Sequence, residues 1–206
     1  MSRFLGAIFS HQLRPILEYH YGPEQHGFRK GHSTVSLLHI LEAVIHTSTL
    51  SNKEVAIVQI DVAKAFDKVH RAALTSFAKN IIRGVAPEAA TFIESMYDGD
   101  EVNISFGKAT KTINMKSGIR QGDPLSPALF SALVGHVLRP LIIQWRSRGW
   151  GAVIDPSQPG ERITLLAYAD DMTASASSRH PASYPHLTLP TISSPSRCVI
   201  PSHSQP

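Results

Sequence analysis

The sequence has little of the chemistry that stabilises secreted or thiolate-metal proteins. Its 206 residues include one cysteine, Cys198, so neither an internal disulfide nor a thiolate metal cluster can form within the chain. The apolar run in the N-terminal MSRFLGAIFSHQLRPI is too short for a secretory signal. No stretch approaches the ~20 apolar residues that span a bilayer. We therefore expect an intracellular protein of the cytoplasm or nucleus, neither secreted nor bound to a membrane.

Charge is also modest. Charged residues make up 17% of the chain, and the formal net charge is +4 with a pI near 9.3. This basic balance suits a nucleic-acid partner, but many other soluble proteins share it. Hydrophobic residues account for 42% of the chain, which is normal for a globular protein and excludes disorder throughout.

The C-terminal segment 179–206 lacks acidic residues altogether and contains six prolines. Proline breaks helices and removes donors from a sheet ladder. We therefore predict that residues 179–206 form a disordered tail.

Upstream of that tail, the apolar pattern predicts an α+β fold. Helical spacing occurs in five segments, 3–18, 35–49, 70–83, 87–97 and 128–145. Ser33 or Thr34 can cap the second of these helices, because either hydroxyl can accept from a free N–H of the first turn. VAIVQID suits a buried strand, EVNISFG and KTINMKSG predict a hairpin, and ITLLAYADDMTASAS predicts two short strands around a tight acidic turn.

Carboxylates occur where these predicted strands end. Asp61 ends VAIVQID, and Asp170 and Asp171 lie in the acidic turn. A carboxylate at the end of a buried strand is costly, and three that converge raise one another's pKa. Divalent cations resolve both problems, so the pattern is consistent with two-metal nucleotidyl transfer. The alternatives are a helix N-cap for Asp61 and a plain polar turn for Asp170 and Asp171.

Four motifs carry a resemblance to a known family. IDVAKAFDKV, GIRQGDPLSPALF and LLAYADD, in that order, resemble the three central palm motifs of reverse transcriptases, and PEQHGFRKGHST resembles the finger-side motif of non-LTR (LINE-type) retrotransposon enzymes. The resemblance covers roughly residues 1–178. It implies a right-hand polymerase palm at 55–178, an antiparallel sheet with helices on one face, preceded by a partial fingers region at 1–54 and with no thumb.

The resemblance also implies an activity, a cofactor and its ligands. A reverse transcriptase is an RNA-directed DNA polymerase that transfers nucleotides from dNTPs to the 3′-hydroxyl of a DNA primer on an RNA template. Asp61, Asp170 and Asp171 would be catalytic and would bind two Mg²⁺ ions, which Mn²⁺ could replace. The backbone carbonyl of Val62 would complete the metal shell. No protein partner is implied.

Three positions would contact the incoming nucleotide by the same resemblance. Phe66 occupies the steric-gate position, where a ring would crowd a ribose 2′-hydroxyl, and ordinary core packing is its alternative. Gln121 and Gly122 would lie against the nucleotide and template, with glycine allowing a close backbone approach.

The remaining candidates concern the primer and template. Tyr168 would sit beside the primer end or simply pack in its hairpin. Arg29 and Lys30 would contact template phosphates or remain a solvated surface. For Asp67 and Asp123 we expect capping or loop hydrogen bonds rather than metal binding.

Two other functions stay open at this point. The chain could be a catalytically inactive retrotransposon remnant with at most weak nucleic-acid binding, because the later palm motifs, the thumb and an endonuclease domain are not found in it. A template-independent nucleotidyltransferase or an RNA-templated RNA polymerase is the third hypothesis, and Phe66 argues against it. In any of these cases we expect no processive synthesis by the chain alone.

Overall fold

The computed structural model describes residues 2–99, 101–107, 109–155, 157–158, 160–177 and 196–200. The helices are α1 Ser2–Tyr21, α2 Thr34–Leu50, α3 Ala65–Lys68, α4 Arg71–Phe77, α5 Pro87–Tyr97 and α6 Ser126–Ser147, with a π-helical turn at Ala78–Ile82. The strands are β1 Val55–Ile60, β2 Glu101–Phe106, β3 Ala109–Asn114, β4 Ala152–Val153, β5 Arg162–Ile163, β6 Leu165–Tyr168, β7 Asp171–Ser177 and β8 Ser196–Ile200.

The five predicted helices are all present, the third as α4 continued by the π-helical turn. Helix α2 begins with the predicted cap, because the Ser33 hydroxyl accepts from the Ser36 N–H and the Ser36 hydroxyl accepts from the Ser33 N–H. This reciprocal capping box satisfies two donors that no helical carbonyl reaches.

The chain forms two compact units, each discontinuous in sequence. Unit 1 comprises Met1–His20 and Lys64–Leu133, and unit 2 comprises Tyr21–Ala63 and Val134–Pro206. Residues adjacent in sequence can separate into different units because the packing of apolar faces, rather than chain order, defines a core.

Unit 2 contains a four-stranded sheet in the order β6-β7-β1-β8, and every neighbouring pair is antiparallel. This confirms the antiparallel sheet of the predicted α+β fold. Strand β8 corrects the disordered-tail prediction at 196–200, which pair with β1 from Gln59↔Ser196 to Val55↔Ile200. That segment contains no proline, so none of its ladder donors is removed. The rest of the predicted tail lies outside the described residues.

Helices cover both faces of this sheet, which corrects the expectation of one covered face. Ile60 packs in a core cluster with Ile142 and Trp145 of α6, whereas Val55 and Ile57 pack with Val44 of α2. Successive strand residues point to opposite faces, so positions 60 and 57 lie on different sides. VAIVQI is apolar at both parities, as strands buried on both faces are.

Unit 1 packs α4, the π-helical turn and α5 around a core. Its fully buried side chains include Leu74, Ile82, Ile93, Leu125 and Leu129. The buried Arg71 donates from Nε to the Gly118 carbonyl at 3.1 Å, and its guanidinium carbon lies 5.8 Å from the Tyr97 ring centroid. The β2–β3 hairpin predicted from alternation is present.

Helix α6 is long and apolar enough, by length and composition, to cross a membrane. This differs from the expectation that no stretch approaches that length. The core helix of a soluble protein passes the same test, and Ile142 and Trp145 of α6 are buried against the sheet of unit 2.

Candidate active site

The acidic turn is the two-residue loop between β6 and β7. Tyr168 pairs with Asp171, which leaves Ala169 and Asp170 as the loop. Ala169 has φ +58°, while Asp170 is not in the left-handed region. A positive φ at the first loop residue alone is the pattern of a type II′ turn, in which glycine is favoured at that position. The predicted tight turn is confirmed, and it contains an alanine under backbone strain.

Sheet register brings Asp61 to this turn. Strands β1 and β7 pair up to Ile60↔Met172. Asp61 directly follows Ile60 at the end of β1, and Asp171 directly precedes Met172 at the start of β7. Two carboxylates that are distant in sequence therefore lie at the same end of two adjacent strands.

The three carboxylates are open to solvent. Asp61 and Asp171 are exposed and Asp170 is half-buried, so the burial cost expected for Asp61 does not arise. Among the residues that the structure describes, none of the three side chains has a hydrogen-bond or ion-pair partner. The N-cap of α3 is Lys64, which excludes the alternative that Asp61 caps that helix.

These residues fit a divalent cation by the chemistry of their donors. Within the described part of the chain, no group of three or more His, Cys, Asp or Glu side chains could hold a metal ion by itself. Mg²⁺, however, usually binds through one or two carboxylates together with waters and substrate phosphates. Asp61 and Asp171 supply such carboxylates, and the Val62 side chain packs against the core cluster, which anchors the backbone after Asp61.

A buried glutamine that we did not single out from the sequence holds the acidic turn. Gln25 is 1% exposed. Its Nε2 donates to the Ala169 carbonyl at 3.0 Å, and its Oε1 accepts from the Ala169 N–H at 2.8 Å and from the Gly27 N–H at 2.8 Å. The side-chain amide thus satisfies both backbone groups of the strained alanine.

The segment around Gln25 runs along the edge of β6. Ala167 donates its N–H to the Glu24 carbonyl at 2.8 Å and accepts at its own carbonyl from the His26 N–H at 2.7 Å. A Cβ on Gly27 would lie 2.2 Å from the Ala169 nitrogen, so only glycine fits there. In the sequence, these residues form the Gln-His-Gly of PEQHGFRKGHST. Only the cations of that motif, Arg29 and Lys30, were predicted as site residues.

Those cations have different surroundings. The Arg29 Nη1 donates to the carbonyls of Gly22 and Gln25 at 2.8 and 2.7 Å, and its guanidinium carbon lies 5.4 Å from the Tyr21 ring centroid. The Arg29 side chain therefore connects Gly22 and Gln25 within this loop. Lys30 is exposed.

Tyr168 is half-buried at the end of β6. Its ring centroid lies 6.5 Å from that of Phe28, and the two ring planes are tilted by 43°. Phe28 itself is 49% exposed, and together the two rings form an aromatic surface next to the acidic turn.

The three residues predicted to contact the nucleotide lie in unit 1: Phe66, Gln121 and Gly122. Phe66 stacks on Phe130 with ring centroids 4.1 Å apart and 19° between planes, which favours the packing alternative while fixing the ring's orientation. Gly122 has φ +80°, a conformation that requires glycine, and its carbonyl accepts from the Arg3 Nε at 3.1 Å.

Asp67 and Asp123 make the hydrogen bonds expected of them. Asp123 is buried and its Oδ1 accepts from the Leu125 N–H at 2.9 Å, just before α6. Asp67 accepts from the Gln121 Nε2 at 3.3 Å.

The fold is similar to that of apo telomerase from Candida Tropicalis truncated from its C-terminal domain, with a TM-score of 0.55 and 14% identity over 86% of this chain and 34% of that one. At that identity the likeness concerns the fold alone. The chain belongs to the reverse transcriptase (RNA-dependent DNA polymerase) family, which matches residues 1–192.

Relatives within that family come from non-LTR retrotransposons, as the motifs predicted. The chain is 29% identical over 174 residues to a Pol polyprotein of the type-1 retrotransposable element R2 from Popillia japonica, covering 84% of this chain and 23% of that protein. It is 25% identical over 183 residues to the R2DM polyprotein from Drosophila melanogaster, covering 86% and 16%. The chain therefore spans less than a quarter of the length of either relative.

A buried histidine next to Gln25 gives the folded state a pH dependence. The His26 Nδ1 lies 3.2 Å from the Ser36 hydroxyl and 3.2 Å from the His32 Nδ1. Burial lowers the pKa of His26 below its usual 6.5, and the positive charges of His32 and Arg29 lower it further, against a backbone hydrogen bond to Pro23 that raises it. The unfolded chain therefore takes up this proton at a higher pH than the folded chain.

We predict that the free energy of unfolding falls as the pH is lowered through about 6.5, because the unfolded state then binds more protons. His26→Gln should flatten this dependence between about pH 7.5 and 5.5, above the range in which carboxylates titrate. Urea unfolding at both pH values measures it, with the exposed His39→Gln as the control. Equal pH dependence in His26→Gln and the wild type would contradict the assignment.

Proposed function

We propose that this chain carries the metal-binding carboxylates of an RNA-directed DNA polymerase that adds dNTPs to a DNA primer on an RNA template. The observation that supports the proposal is the register of β1 and β7, whose last pair, Ile60↔Met172, is followed by Asp61 on one strand and preceded by Asp171 on the other. Membership of the reverse transcriptase family supports it.

In this proposal Asp61 and Asp170 are the principal ligands of two Mg²⁺ or Mn²⁺ ions, with Asp171 beside them and the Val62 carbonyl completing the shell. The bound ions would activate the primer 3′-hydroxyl and neutralise charge on the departing pyrophosphate. The protein's part is to hold the carboxylates next to hydrogen-bonded strands, because Asp171 begins β7, Asp61 follows β1 and Asp170 lies in the tight turn before β7. Such support keeps ligand geometry better than a free loop does.

Nucleotide and strand selection complete the proposal. Phe66, held in one orientation by Phe130, would exclude a ribose 2′-hydroxyl, and Gln121 and Gly122 would border the nucleotide and template. Tyr168 would sit at the primer end. Lys30 would contact template phosphates, with Arg29 shaping the loop that presents it.

The test combines metal binding with single-nucleotide addition by the 206-residue chain. We expect the wild type to bind Mn²⁺, measured by loss of the free-ion electron paramagnetic resonance signal, and to add one complementary dNTP slowly without long extension. Asp170→Asn should lose both, because it removes a charge that the ions require. Equal Mn²⁺ binding by the wild type and Asp170→Asn would overturn the proposal. A folded wild-type chain that binds no Mn²⁺ would favour the inactive remnant.

A further inference from the structure

We infer that Gln25 is a positioning residue that sets the conformation of the Ala169–Asp170 turn, and this inference rests on the proposed role of Asp170 as a metal ligand. The turn needs such support. An L-residue in the left-handed region costs roughly 1–2 kcal/mol, and Ala169 adopts φ +58° where a type II′ turn favours glycine.

The Gln25 amide supplies that support through one side chain. Its Nε2 and Oε1 bond the carbonyl and the N–H of the same residue, Ala169. Two bonds from a planar group to one residue fix that residue's peptide planes on both sides. Asp170 is attached directly to the second of these planes, so the Gln25 amide, which we call the clamp, fixes the position of the Asp170 Cα atom.

The clamp itself is anchored on the edge of β6 that faces away from β7. The bonds from Ala167 to Glu24 and His26 hold the backbone on either side of Gln25. Glu24 also forms an ion pair with Arg146 of α6 at 2.6 Å. The close fit of Gly27 against Ala169 leaves no room for the turn to shift toward this segment. The turn that carries Asp170 is therefore held by a segment whose residues Glu24, Gln25 and His26 are buried.

Removing the amide should loosen the turn without removing a carboxylate. Gln25→Met has nearly the same length but lacks both the donor and the acceptor. Because Gln25 is buried, the Ala169 N–H and carbonyl would lose their partners in a site that water does not readily reach. Second-layer residues of this kind typically change metal affinity by about 10–100-fold.

Two measurements on the 206-residue chain test the inference. The first is amide hydrogen exchange at Ala169, followed by NMR without metal. The second is Mn²⁺ affinity from electron paramagnetic resonance. The control is Thr47→Val, which removes a side-chain hydrogen bond to the Ile154 carbonyl in the same unit and away from the turn.

We expect Gln25→Met to speed exchange at Ala169 and to weaken Mn²⁺ binding at least about tenfold, at temperatures where circular dichroism shows it folded. Gln25→Glu keeps the acceptor and should protect the Ala169 N–H better than Met does. Thr47→Val should change neither measurement. Unchanged exchange at Ala169 in folded Gln25→Met would overturn the clamp. If exchange rises but Mn²⁺ affinity stays at the wild-type value while Asp170→Asn abolishes binding, positioning is refuted and the proposed function survives. If Asp170→Asn also binds normally, the proposed function fails instead.

Discussion

Asp61→Asn is expected to lower single-nucleotide addition by at least about a thousandfold while leaving the melting temperature unchanged. Metal-bound carboxylates contribute to catalysis through ions that stabilise charge by several kcal/mol. A loss of about 4 kcal/mol corresponds to roughly a thousandfold in rate. Asn has the same shape as Asp, and the Asp61 side chain is exposed. The substitution should therefore leave the stability of the fold unchanged. Primer extension with a single dNTP and Mn²⁺ measures the rate, and thermal unfolding measures the stability.

The matched control is Glu54→Gln, an exposed acid at the opposite end of β1. It removes the same charge from the same strand, so a general effect of charge on nucleic-acid binding would appear in both variants. We expect Glu54→Gln to stay within about twofold of the wild type, since exposed charges away from a site contribute little. An Asp61→Asn rate within tenfold of the wild type would remove Asp61 from the proposed metal site.

Gly27→Ala is expected to destabilise the chain by about 3 kcal/mol, which lowers the melting temperature by roughly 6–12 °C for a protein of this size. The added Cβ would lie 2.2 Å from the backbone nitrogen of Ala169, and backbone cannot yield as the end of a flexible side chain can. Overpacking of this kind typically costs about 1–3 kcal/mol. Here the shift would also disturb the bonds between Gln25 and Ala169. Circular dichroism during heating measures the change.

Gly84→Ala provides the comparison, because an added Cβ there meets nothing within 4 Å and the φ angle is not in the left-handed region. It should change stability by no more than about 0.5 kcal/mol. Similar melting temperatures for Gly27→Ala and Gly84→Ala would mean that the turn can move aside, and the fixed position of Asp170 would then lose its support.

Local patterns were sufficient where the determining interactions are local. The Ser33 cap depends on a residue three positions away, and the tight turn at Ala169 and Asp170 depends on the strands that flank it. Both the cap and the presence of the turn followed from the sequence. The stacking of Phe66 on Phe130 did not follow from the sequence, because the two residues are distant along the chain. Neither did the cover on both faces of β1, since periodicity does not specify which helix packs on which face.

The sequence by itself determined the five longer helices, strand β1, the β2–β3 hairpin, the acidic turn and, through ordered motifs, the reverse transcriptase family. These depend on side-chain period, capping chemistry and residue order, all of which are written along the chain. Only the tertiary structure decided that Ile60, next to Asp61, pairs with Met172, next to Asp171, and that Gln25 holds Ala169. Those relations join residues far apart in sequence through strand register and a buried amide, and no local pattern specifies which distant backbone groups a glutamine will satisfy.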